Sequence, residues 1–120
     1  MKHILVVDDD SLMLSLIARA LPDFALTVAR DGDEALALAG QGMKFDLVIT
    51  DYLMPSMAGD ELIGRLRERR PQLKVLVVTG HAPILERENP EWFHAQPYLS
   101  KPFRLDALRE AVIDLIGVPT

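Results

Sequence analysis

HILVVDDDSLMLSLIARAL, residues 3–21, is the stretch that decides the fold. Residues 3–7 form a short, unbroken apolar run rich in β-branched side chains, the mark of a strand covered on both faces. Beyond three aspartates, Leu12, Leu16 and Ile17 recur at helical spacing, and Pro22 closes the segment. A strand that leads directly into a helix opens a βα unit, because parallel strands can be joined only by a crossover.

The same alternation extends outward along the chain. FALTVA at 24–29 reads as a strand, an alanine-rich helix follows from Asp31 and stops near Gly40 and Gly42, and FDLVIT at 45–50 is a buried strand. GDELIGRLRER at 59–69 sets Leu62 and Leu66 on one helical face with arginines opposite, and Pro71 terminates it; Gly64 lowers the propensity without cancelling the helix. LKVLVVTG at 73–80 and PYLS at 97–100 supply two more strands, and Leu105, Leu108, Val112 and Leu115 stripe a final helix. In 81–96, Pro83 starts a short helix at Ile84 that Pro90 ends. Five strands alternating with helices predict an α/β fold, a three-layer (βα)5 doubly wound parallel sheet, in one domain over 1–120.

Composition limits what such a domain can do. Its 120 residues suffice for one hydrophobic core, so a separate substrate or effector domain is not expected within them. Lacking cysteine, the chain has no disulfide framework, thiolate nucleophile or Cys-ligated metal. Acidic residues outnumber basic ones 18 to 13, and the one dense basic run, RLRERR at 65–70, is diluted by Glu68 and reads as a solvated helix face. Direct nucleic-acid binding is therefore not expected. Apolar runs are too short to insert in a membrane, and the N-terminus meets Asp8, Asp9 and Asp10 too early for a secretion signal, so a cytoplasmic location is expected.

In open parallel sheets, ligands bind outside the carboxyl ends of the strands. The residues at those ends are Asp8 and Asp9 after the first strand, Asp51 after the third, Thr79 after the fourth and Lys101 after the fifth. Three carboxylates gathered together repel one another and call for a cation. Mg2+ suits them, since it takes oxygen ligands and shares them with water and phosphate. With a lysine and a hydroxyl opposite, the inventory points to phosphoryl transfer, and Asp51, set between LVIT and YLMP, is the best nucleophile.

VVDD at 6–9, DYLMPSMAG at 51–59, VVTG at 77–80 and YLSKPF at 98–103, in this order, resemble the receiver domain of two-component response regulators, the CheY-like superfamily. The resemblance spans nearly the whole chain and implies a flavodoxin-like sheet of order 2-1-3-4-5. It implies that Asp51 accepts a phosphoryl group from a phosphohistidine on a histidine kinase or histidine phosphotransfer protein. It further implies that Asp8, Asp9, Asp51 and the backbone carbonyl of Leu53 hold Mg2+. Lys101 and Thr79 would contact the phosphoryl group, Tyr98 would be the aromatic switch, and a cis bond before Pro102 would present Lys101. Residues Met54 to Gly59 would shape the turn after the acceptor, with Gly59 permitting a close backbone approach.

The chain also departs from the family pattern. Leu53 and His81 stand where some receivers carry side chains that assist hydrolysis, so dephosphorylation is expected to be slow. His81 reads as a solvated loop residue, and Trp92 and Phe93 as an aromatic pair packed on their own domain. The proline-interrupted fourth crossover puts the usual receiver dimer in doubt. A Mg2+-dependent phosphatase would need a second acid where Leu53 stands, and a pseudo-receiver would have no use for the intact acidic pair, acceptor and lysine.

Overall fold

The computed structural model describes residues 1–54 and 56–119; Pro55, within the expected 54–59 turn segment, and Thr120 lie outside the described residues. Five strands, β1 (His3–Val7), β2 (Ala25–Ala29), β3 (Leu47–Thr50), β4 (Lys74–Thr79) and β5 (Tyr98–Ser100), form one sheet of order β2-β1-β3-β4-β5. Every pairing is parallel. The connections are helical: α1 (Ser11–Ala20), α2 (Gly32–Gly40), α3 (Gly59–Arg69), and the pair α4 (Ala82–Glu88) and α5 (Pro90–His94); α6 (Leu105–Ile116) closes the chain. This is the flavodoxin-like (βα)5 arrangement, with its fourth crossover split in two.

The continuous apolar strands are explained by burial on both faces. Side chains alternate across a strand, so Ile4, Val6, Ile49 and Val78 meet Ile17 of α1 and Leu108 and Val112 of α6. On the other face Leu5, Val7 and Val48 meet Ala35 of α2 and Leu62 and Leu66 of α3. Val75 and Val77 pack there with Ile63, and Trp92 leans on the same group. Among the described residues no helix is long and apolar enough to cross a membrane.

Several local expectations are corrected. The buried face of α1 is not set by Leu12, which is 68% exposed, but by Ile17 and Ala20, with Met13 and Leu14 against the same core. Both strand periodicity and helical periodicity tolerate such a phase error until a partner is specified. Strand β3 begins at Leu47, after Asp46, whose N–H donates to the His3 carbonyl at the start of β1 and whose carboxylate accepts from the His3 N–H, and β2 begins one residue after the buried Phe24.

In the fourth crossover, α4 starts at Ala82 with Pro83 in its first turn, and α5 was not expected. Pro90 does interrupt the helix, yet it also begins the next one, since a first-turn proline lacks only an N–H that would be unpaired anyway. The basic run is not uniformly solvated either. Arg67 turns inward and donates to the Leu73 carbonyl at 3.0 and 3.3 Å and to Gln96 at 3.3 Å, while Arg70 donates to the Phe45 carbonyl at 2.8 Å.

Candidate functional site

Strand register gathers the polar residues. Val7 lies beside Thr50 and Thr79 beside Ser100, so the residues that follow them, Asp8, Asp51 and Lys101, leave the sheet at one end. The Lys101 ammonium donates to Asp51 Oδ2 at 3.0 Å and to Asp8 Oδ2 at 3.2 Å, joining residues 50 and 93 positions away. The second carboxylate oxygens are held by backbone: Asp8 Oδ1 accepts from the Asp10 N–H at 2.9 Å, and Asp51 Oδ1 from the Tyr52 N–H at 2.7 Å. Lys101 is aimed by its own N–H, which donates to the Thr79 carbonyl at 2.8 Å, and its bond to Pro102 is cis.

The electrostatics follow from sharing one cation between two anions. Burial raises the Asp8 carboxyl above the ordinary carboxylate range; the Asp10 N–H and Lys101 oppose the shift without cancelling it, and Asp51 adds to it. Burial by itself would lower Lys101, but hydrogen bonds and charge from Asp51 and Asp8 outweigh it and hold the ammonium above its ordinary value. The lysine sees two carboxylates, whereas Asp8 sees half a lysine. The site is therefore firmly protonated at Lys101 and still short of positive charge at Asp8.

The other expected residues divide into rim and surroundings. Asp9 is exposed and Leu53 is 46% exposed, both beside the buried carboxylates in sequence. Thr79 is fully buried, with its hydroxyl oxygen accepting from the His81 N–H at 3.0 Å. His81 itself is exposed. The Tyr98 ring stays at the surface, 45% exposed and 4.3 Å from the Phe93 ring. Phe93 is fully buried and Trp92 partly so, packed within the domain as expected. Gly59 presses on the acceptor loop: its N–H donates to the Tyr52 carbonyl at 2.7 Å, and a Cβ there would stand 2.6 Å from the Asp51 carbonyl oxygen.

Two contributors were not anticipated. Asp10 both fixes Asp8 through its N–H and caps α1 by accepting from Leu12 N–H at 3.0 Å. An aspartate immediately before a helix-opening serine is an N-cap signal and could have revealed it. Tyr52 holds Asp51 through its backbone while its ring lies 5.4 Å from Trp92 of α5, a tertiary contact with no sequence signature.

Whether these groups suit Mg2+ is decided by their chemistry. The donors at the acidic end are oxygens, and the charge on Asp8 is incompletely compensated. Among the described residues no group of three His, Cys, Asp or Glu stands ready to enclose a metal. Mg2+ takes oxygen ligands and is commonly held by one or two carboxylates plus water and phosphate, a set that the carboxylates of Asp8 and Asp51 can supply.

A family model, the response regulator receiver domain, matches residues 4–113. The chain belongs to the response regulator receiver domain family. It is 39% identical over 108 residues to the transcriptional regulatory protein TcrA of Mycobacterium tuberculosis, covering 88% of this chain and 42% of that protein. Against GlrR of Escherichia coli it is 31% identical, covering 95% of this chain and 26% of the relative. The chain thus spans less than half the length of these curated relatives.

Among solved structures, Vibrio cholerae chemotaxis protein CheY4 superposes with a TM-score of 0.84 at 28% identity, covering 96% of this chain and 98% of the other. Response regulator TrrA from Thermotoga maritima, solved in complex with Mg2+ and BeF, superposes with a TM-score of 0.82 at 32% identity, covering 96% and 99%. As a member of that family the chain is a phosphoacceptor receiver domain of a two-component system, the family whose domains catalyse their own phosphorylation and dephosphorylation.

Proposed function

We propose that Asp51 is the phosphoryl acceptor and that the chain is one receiver domain whose donor is a histidine kinase or histidine phosphotransfer protein. The observation that carries the reading is the Lys101 bridge between Asp51 and Asp8. The Lys101 ammonium lies within hydrogen-bond reach of both carboxylates at the end of the sheet, which supports reading Asp51 as the nucleophile. In the transfer, an Asp51 carboxylate oxygen attacks phosphorus, the bond from phosphorus to the donor imidazole nitrogen breaks, and the nitrogen keeps the bonding pair.

The residues that fit Mg2+ are Asp8, Asp9, Asp51 and the backbone carbonyl of Leu53. Bound there, Mg2+ would neutralise phosphoryl charge as it moves onto the protein. Lys101 releases its grip on the unphosphorylated carboxylate to pair with phosphoryl oxygens, its backbone held by the Thr79 carbonyl. The Thr79 hydroxyl turns from the His81 N–H toward the new charge, and Tyr98 moves inward from its exposed position against Phe93. These shifts alter the surface around β5, which is the output.

Incubation with acetyl phosphate and Mg2+, followed by intact mass measurement, tests the reading. One added phosphoryl group is expected on the parent and none on D51N; repeated turnover of an aryl phosphate would instead indicate a phosphatase. Calorimetry tests the metal assignment: D9N should fold and lose Mg2+ binding, and unchanged affinity would remove Asp9 from the set.

A further inference from the structure

The basic run at 65–70 is left unexplained by phosphoryl transfer. Three of its arginines border a cavity of about 470 Å³ between α2 and α3, below the end of β3 opposite Asp51. Val48, which lines the cavity, is three residues before Asp51, so the two sites are roughly 10 Å apart along the strand. The volume falls within the range of small-molecule sites, which run to several hundred Å³.

The lining has two characters. Its floor is apolar and largely buried, made by Leu36, Met43, Phe45, Val48, Leu66 and Leu73. Its rim is charged: Arg65, Arg69 and Arg70 stand at the mouth with a single acid, Glu68. Arg65 is paired with Glu61 at 3.1 Å, and Arg70 is anchored by one N–H to the Phe45 carbonyl at 2.8 Å, which leaves its other donors to the mouth. Arg69 reaches across from α3 to the end of α2, with Nη1 3.7 Å from the Cβ position of Gly40. Net positive charge over an apolar floor matches a ligand with one anionic group and an apolar body. An inorganic anion would leave the floor bare, and a neutral hydrocarbon would leave the arginines unused.

We infer that this α2–α3 cavity binds a small amphiphilic anion, a carboxylate carried on an aliphatic chain or ring, with Arg69 and Arg70 on the carboxylate and the body against Val48, Leu66 and Leu73. The site is independent of Asp51 and would stand even if the phosphoacceptor assignment failed.

Octanoate, below its micellar concentration, is the probe. Titration followed by methyl NMR should show saturable shifts at Leu36, Val48 and Leu66, with Kd below about 1 mM for a ligand of this size. Octanol and acetate, each lacking half of the required chemistry, should bind at least tenfold more weakly. R69E should weaken octanoate at least tenfold. A39F, which fills the cavity from α2, should abolish binding, while both variants still accept phosphoryl from acetyl phosphate as proof of folding. If A39F does not fold, R69E alone decides. No saturation by octanoate, equal binding of octanol, or an affinity unmoved by R69E would each overturn the inference.

Discussion

Asp8 shows how much one residue's environment adds to its chemistry. Buried more deeply than its share of Lys101 can offset, its carboxyl is raised from 3.8. The folded chain then holds this proton more tightly than the unfolded chain, so the associated stability is present below about 3.8 and is lost as pH rises through the raised value. D8N removes the charge and keeps the shape, and Lys101 retains Asp51 as a partner. Without Mg2+ at pH 7, D8N should melt a few °C higher than the parent, the response of a domain this size to about 1 kcal/mol. The difference should shrink toward pH 4, and thermal melts across that range check both parts. Leu53 supports a second expectation at this scale. Its side chain is exposed beside the acceptor and offers no hydrogen bond to an attacking water, so L53N should dephosphorylate about tenfold faster, a barrier change of about 1.4 kcal/mol. Loss of label from isolated phosphoprotein in excess Mg2+ measures it, and equal rates would reject the polarity argument.

At the scale of the element, α3 carries two glycines whose substitution should have opposite effects. A Cβ at Gly59 would meet the Asp51 carbonyl oxygen at 2.6 Å and Tyr52 Cα at 2.9 Å, both backbone atoms that can yield only if the helix start and acceptor loop separate. Gly64, five residues on, has nothing within 4 Å of its Cβ position and sits in the exposed middle of the helix. G59A should therefore cost about 1–3 kcal/mol and slow phosphorylation by acetyl phosphate. G64A should stabilise by up to about 1 kcal/mol and leave phosphorylation unchanged. Urea unfolding of the two variants, with the same substitution moving the midpoint in opposite directions, is the measurement.

Across the described residues, the sheet has one buried cluster on the face of α1 and α6 and two on the face of α2, α3 and α5. Ile17 of α1 belongs to the face covered by α6, and Ile63 of α3 to the face covered by α5. I17V and I63V should each cost about 1 kcal/mol, and the double variant should equal their sum within about 0.5 kcal/mol, because the two side chains belong to different buried clusters on opposite faces of the sheet. A larger discrepancy in urea unfolding would show that strain crosses the sheet.

From the sequence by itself came the strand and helix alternation, the parallel sheet, and the candidates Asp8, Asp9, Asp51, Thr79 and Lys101, since burial on both faces writes an unbroken apolar run and leaves polar residues at strand ends. Its motifs also pointed to the family, the sheet order and the cis bond before Pro102. Only the tertiary structure decided that Leu12 faces solvent, that Pro90 opens a second helix, that Arg67 turns inward and that Tyr52 rests on Trp92. Periodicity states that a helix has an apolar side but leaves the boundary of that side to its partners. The pairing of Lys101 with both Asp8 and Asp51 likewise depends on strand register, which places residues far apart in the chain at one edge and leaves one cation between two buried anions.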